Sequence, residues 1–185
     1  MKMFFQLLIA LPAIVWTSVA AAADTKVIIN LSEQRAYLIE QGRVTLISPV
    51  ASGRPGWPTP TGNFRIFKKD INHRSGSFGS VVDAYGVINA NATPASQVPA
   101  GAHYSPAPMP YFMEFSPAVG MHAGYLPGYP ASHGCVRMPR DSAALFFERV
   151  HTGTPVTVIG STENLARVRK AIPISPAGAI VLGRR

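Results

Sequence analysis

The sequence predicts a mostly β domain with one or two helices, and three observations lead there. Short stretches rich in Val, Ile and Tyr are set off by turn-prone residues, Gly and Pro punctuate the chain throughout, and only one window carries convincing helical spacing. With 185 residues, 47% of them apolar, the chain suffices for one domain with a real core.

The elements follow in order. Segments 26–31, 35–40 and 43–50 are separated by Ser32-Glu33-Gln34 and Gln41-Gly42 and read as a β-meander. Three prolines and three glycines over 51–63 rule out a helix, and 64–68 alternates like another strand. Residues 70–110 are rich in Gly, Pro, Ser and Asn with few apolar runs, which predicts a loop-dominated insertion serving as a substrate-facing lid. His73 and His103 fall within it and read as loop residues rather than ligands. Compact apolar stretches at 111–115 and 119–122 predict buried strands. In 139–151, Ala143, Ala144, Phe146, Phe147 and Val150 approximate helical spacing, with Asp141 near the start. A strand at 154–159 follows, then a tail over 161–185 with a short basic amphipathic piece at 165–171.

At the N-terminus, Met1-Lys2, a mostly apolar run to Trp16 and the small residues through Ala23 have the layout of a secretory signal peptide, 1–23. An uncleaved anchor is the alternative, disfavoured by Gln6 and Pro12. Export to the periplasm or cell envelope is therefore expected. Removing Lys2 with that segment lowers the formal charge from +8 to +7, so the exported part stays basic and suits anionic partners such as wall polymers. Nucleic acid is not expected: the basic residues are scattered and no recognition motif accompanies them.

Cys135 is the only cysteine. An exported protein usually keeps paired cysteines or none, so a lone thiol suggests a use, although a buried inert cysteine is the bland reading. It sits in Ser132-His133-Gly134-Cys135-Val136-Arg137-Met138, with His122 thirteen residues upstream. A thiol becomes a nucleophile when an imidazole accepts its proton. Gly134 lets the backbone approach a substrate carbonyl, and the N–H groups of Gly134 and Cys135 are candidate oxyanion donors. A zinc site of Cys135, His122 and His133 would have only three ligands at a spacing that fits no paired-ligand motif, so no metal is expected. A Cys-His acyl-transfer site is the preferred reading.

Met121-His122-Ala123-Gly124, a short Gly/Pro loop and Ser132 to Met138 together resemble the signature of the L,D-transpeptidase catalytic domain. The likeness runs upstream through Thr59-Pro60-Thr61-Gly62-Asn63-Phe64 and covers roughly 25–160, which implies one β-sandwich or barrel domain over 24–160. The resemblance implies that Cys135 attacks the bond between the third residue of a peptidoglycan stem peptide and its terminal D-alanine, forming a thioester. His122 would be the base, with its ring oriented by the Ala123 carbonyl. Amides of His133, Gly134 and Cys135 would form the oxyanion hole, with Ser132 and His133 facing substrate. Arg137 would contact a stem carboxylate or brace the loop, a surface ion pair being the plain alternative. No cofactor is implied, and a monomer is expected.

Two features depart from the family pattern. The loop 125–131, with its stiff Leu126-Pro127-Gly128-Tyr129-Pro130, is shorter than in many members, and no companion wall-binding module is evident. Stem peptides are the expected partners, with a lipoprotein lysine or a free D-amino acid as other acceptors. Transfer to water, as in a carboxypeptidase or cross-link hydrolase, and a non-catalytic wall-binding domain are the competing functions. A thiolate–imidazolium pair of Cys135 and His122 is the expected resting state.

Overall fold

A computed structural model describes residues 24–162 and the strand at 180–181. The signal segment expected at 1–23 and the basic piece expected at 165–171 lie outside the described residues. The meander forms as expected: β1 (Thr25–Asn30), β2 (Arg35–Glu40) and β3 (Arg43–Pro49) pair in sequence. Along β1, Thr25, Val27 and Ile29 turn inward while alternate residues face out, which is the period-two signature of a strand with one buried face. Gln34 takes a left-handed turn conformation (φ 50°) between β1 and β2, and its amide is buried against Leu31 and Ser52.

The sequence expectation of one strand at 64–68 is corrected to two. β4 (Gly62–Arg65) belongs to the first sheet and β5 (Lys68–Asp70) to the second. Between them Ile66, fully buried, donates its N–H to the Thr154 carbonyl, and Phe67 donates its own to the Glu114 carbonyl. The chain changes sheets at this point, so the alternation continues while the partner does not.

The largest difference lies in 70–110. Instead of a loop, β6 (Arg74–Asp83), β7 (Gly86–Ala92) and β8 (His103–Pro108) form a three-stranded antiparallel sheet in the order β7-β6-β8. Val81 and Ala92 are among its few buried apolar residues, and β7 is exposed over all but its last residue. Its cohesion comes from backbone ladders rather than an apolar face, so hydrophobic periodicity had nothing to register.

β9 (Phe112–Ser116), β10 (Val119–Ala123) and β11 (Val136–Met138) follow, then α1 (Arg140–Arg149), β12 (Pro155–Ile159) and β13 (Ile180–Val181). The first sheet runs β13-β3-β2-β1-β12-β4, with β1 and β12 parallel; the second runs β11-β10-β9-β5, with β10 and β11 parallel. One core joins them, from Val27, Ile29, Leu38 and Leu46 to Met113, Phe115, Met121, Val136 and Met138. Each such side chain removed from water is worth about 1.5–3 kcal/mol. The result is a mostly β sandwich with a single α-helix among the described residues.

The helix packs Ala143 and Phe146 onto that core beside β10. Its orphan C-terminal carbonyls are met from β5: Lys69 Nζ donates to the carbonyls of Phe147 (2.6 Å) and Val150 (2.8 Å) and lies 4.2 Å from the Phe147 ring centroid. No helix among the described residues is long and apolar enough to cross a membrane.

Candidate active site

β10 and β11 are neighbours in parallel register, so His122 lies beside Arg137 and Ala123 beside Met138. The loop between the strands brings Cys135 to the start of β11. Cys135 and His122 thus border one cavity of about 750 Å³, whose walls include Trp57, Phe78, His133 and Arg137. The motif Val136-Arg137-Met138, not read as a strand in the sequence, is the strand that delivers the thiol.

The loop carrying Cys135 is held at several points. Ser52 O accepts from Ala131 N (2.9 Å) and Ser132 N (3.1 Å), Arg54 N donates to Ser132 O (3.0 Å), and Ala51 and Arg137 exchange two backbone bonds. Thr59 Oγ1 receives Gly53 N–H (2.9 Å) and donates to Gly134 O (2.7 Å). The Pro- and Gly-rich stretch 51–60 is therefore the cradle of the loop that carries Cys135. Gly134 sits at φ 115°, a backbone region that a side chain would strain.

The Ser132 hydroxyl donates to the Cys135 carbonyl and accepts from Gly134 N (3.1 Å). Its single proton is spent inside the loop, where Ser132 braces the backbone on either side of Gly134. A separate bond to the Ser132 hydroxyl engages the Gly134 N–H, while the other two expected oxyanion donors are the amides of His133 and Cys135.

At the junction of β9 and β10 the register shifts between Val119 and Gly120, and this irregularity lies under the thiol. Cys135 Sγ lies 3.6 Å from Ala118 O, and the Gly120 backbone N–H points at the sulfur and favours its anion. A Cβ at Gly120 would come within 2.6 Å of the Met113 carbonyl, so this approach needs glycine.

His122 is buried, and its Nδ1–H donates to Ala123 O at 2.9 Å, which fixes the tautomer and leaves Nε2 as an open acceptor. Burial pushes its pKa from 6.5 down to about 4, with the Arg137 charge adding to the effect. Burial likewise raises the Cys135 thiol above its ordinary value, against the pull of Gly120 N–H and Arg137. Burial of both groups thus works against the thiolate–imidazolium pair expected from sequence, because a desolvated cleft disfavours two charges, while Gly120 N–H and Arg137 favour the thiolate.

His133 is engaged elsewhere. Arg54 Nη2 donates to its Nε2 at 2.7 Å, and its ring stacks on Phe78 (centroids 4.0 Å, 12°) with Trp57 edge-on at 5.2 Å. Burial and Arg54 hold its pKa below normal. An imidazole whose lone pair already accepts from a guanidinium has no base to offer. Arg137 is half-buried and borders the cavity with no ion-pair partner among the described residues, so the surface-pair alternative does not describe it.

Some contributors were missed in the sequence. Arg54, Trp57 and Phe78 lie far from Cys135 along the chain and were not singled out, although the prolines and glycines over 51–63 marked the first two as lying in irregular backbone. His73, read as a loop residue, borders the cavity: it stacks on Phe112 (4.2 Å) and lies 3.2 Å from Asp70 Oδ2. Among the described residues no group of three or more His, Cys, Asp or Glu side chains is placed to hold a metal.

A β-sandwich that buries a tautomer-fixed histidine in the same cleft as its sole cysteine defines a protein with a thiol–imidazole site. More specifically, residues 24–158 match the L,D-transpeptidase catalytic domain, and the chain belongs to that family. It is 28% identical over 115 residues to probable L,D-transpeptidase 3 of Mycobacterium tuberculosis, covering 60% of this chain and 38% of that one. With L,D-transpeptidase 1 of the same organism it shares 26% identity over 135 residues, 71% of this chain and 49% of the relative. The chain thus spans about half the length or less of these relatives. In fold it resembles an L,D-transpeptidase from Mycobacterium smegmatis, with a TM-score of 0.57 and 21% identity over 75% of this chain and 59% of that one.

Proposed function

We propose that the protein is a peptidoglycan L,D-transpeptidase that works through a Cys135 thioester. The observation that carries this reading is the pairing in one cleft of the Cys135 thiol with a His122 whose Nδ1 is tied to Ala123 O. His122 Nε2 takes the thiol proton as sulfur attacks the carbonyl of the stem's third residue. The oxyanion is met by the N–H groups of His133 and Cys135. As the C–N bond breaks, His122 returns the proton to the departing D-alanine amine. An acceptor amine then loses a proton to His122 and displaces the thiolate, which recovers that proton. Arg137, a cation without a carboxylate partner among the described residues, serves a carboxylate of the stem. The family membership and the named relatives support this reading, and so does the basic charge of +8. Export to the cell envelope belongs to the same proposal.

The test is incubation with tetrapeptide muropeptides and mass spectrometry of the products. D-alanine release with 3-3 cross-linked dimers is expected, and Cys135→Ala abolishes both. Absence of D-alanine release by the wild-type protein overturns the proposal. Tripeptide products without dimers identify water as the acceptor.

A further inference from the structure

A second cavity, of about 320 Å³, lies against the first. Its walls are Arg54, Phe78, Gly79, Asn91, Thr93 and His133, so the stacked pair Phe78–His133 borders both spaces. The size is at the lower end of the roughly 300–1,000 Å³ usual for ligand sites. Of its walls, Arg54 is the one cation fixed at both ends. Its backbone N–H is bonded to Ser132 O, its carbonyl accepts from Trp57 N (2.9 Å), and its guanidinium is bonded to His133.

That last bond uses one of five guanidinium N–H groups. The ion pairs among the described residues are His73–Asp70 and Arg149–Glu40, so no carboxylate there neutralises Arg54. Asn91 and Thr93, at the end of β7, bring a neutral amide and a hydroxyl to the same space; the hydroxyl has only Ser96 nearby, at 3.5 Å. A half-buried guanidinium with free, fork-arranged donors, next to neutral donors and facing an open space, is suited to a carboxylate.

We infer that Arg54, with Asn91 and Thr93, forms a carboxylate subsite separate from Arg137, which reads the C-terminal carboxylate of a stem peptide across the Phe78–His133 partition from Cys135. The inference rests on the transpeptidase reading and adds a specificity determinant to it. Because Arg54 also holds His133 by its ring nitrogen, an anion bound here is registered on the loop that carries the nucleophile. The carboxylate has two possible sources: the D-alanine that leaves the donor, or the terminus of the acceptor.

The experiment supplies donor and acceptor tetrapeptides each as the C-terminal carboxylate or carboxamide, and follows D-alanine or D-alaninamide release and dimer formation separately. Amidation of one partner is expected to raise its KM about tenfold to a hundredfold in the wild-type protein. That ratio, taken within each variant so that any general loss of activity cancels, should fall towards one in Arg54→Gln and be partly retained in Arg54→Lys. An effect confined to the donor assigns the subsite to the leaving D-alanine, and one confined to the acceptor assigns it to the incoming stem. Equal use of carboxylate and carboxamide by a turning-over wild-type protein overturns the inference and leaves the transpeptidase reading intact. So does a preference that survives Arg54→Gln, because another cation then reads the carboxylate. Failure to turn over any donor overturns the reading on which the inference rests.

Discussion

The two walls of the cleft are built by opposite means. On one side, residues 51–60 and 131–138 are tied by backbone bonds through Ala51, Ser52, Arg54 and Thr59, and little of that wall can move without breaking hydrogen bonds. On the other, β6, β7 and β8 form a small sheet with few buried apolar residues, an almost wholly exposed edge strand and a tip at Tyr85 that is 98% exposed. Phe78 is its main reach into the site, through the ring of His133. Catalytic geometry needs precision and substrate choice needs adaptability, and under the proposed function each falls to a wall whose bonding suits it.

The largest expected effect comes from the rigid wall. Cys135→Ser, with the fold kept, should reduce D-alanine release to background in the muropeptide assay, because no hydroxyl activated by His122 alone matches the thiol. His122→Gln should lower the acylation rate by about 10²–10⁴-fold in single-turnover measurements. A wild-type rate that stays level from neutral pH down towards the acid limb at about 4 checks the lowered His122 pKa, whereas a limb near the ordinary histidine value of 6.5 would contradict it.

The same histidine makes a stability prediction. Unfolded, it takes up a proton near pH 6.5; folded, only near 4, so acidification between these values favours the unfolded chain. Wild-type protein should lose about 3 kcal/mol across that window and no more from this group below it, as read by denaturant unfolding. His122→Gln should flatten that slope.

Smaller effects test the contrast directly. Thr59→Val removes the acceptor of Gly53 N–H and the donor to Gly134 O and should cost about 1–3 kcal/mol, with slower thiol alkylation as the cradle loosens. Phe78→Ala should leave thiol alkylation and melting temperature close to wild type while raising the KM for stem peptides several-fold, the stacked ring being worth about 0.5–1.5 kcal/mol. Tyr85→Ser at the exposed tip should change stability by less than about 0.5 kcal/mol. Equal damage from Thr59→Val and Phe78→Ala would remove the distinction between the walls.

The same contrast marks what could be read in the sequence. The meander, α1 and β12 were legible because each buries one face and carries that face in its apolar spacing, and β10 because it is a compact apolar stretch buried on both faces. Cys135 and His122 were legible because their motif is local. The small sheet was not, because Gly, Ser and Asn hold it by backbone bonds that leave no apolar period. Nor were the partners of the catalytic loop. Arg54 meets His133 across 79 positions and Thr59 meets Gly134 across 75, and such distances close only in the fold. The lowered pKa of His122 was out of reach for a related reason: desolvation depends on what covers a side chain, not on its neighbours in sequence.

The parallel register of β1 with β12, Val27 against Val156, also sets the order of assembly. The first strand of the domain has β2 on one side and, on the other, β12, which follows α1 in the chain and is made well over a hundred residues later. Until residues 155–159 arrive, β1 keeps a row of unpaired amides and carbonyls and the meander has an open edge. A chain interrupted just after α1 would contain the cysteine, the histidine and the whole cradle, yet would lack the strand that closes the sheet beneath them, and should be recovered as aggregate rather than as a smaller enzyme.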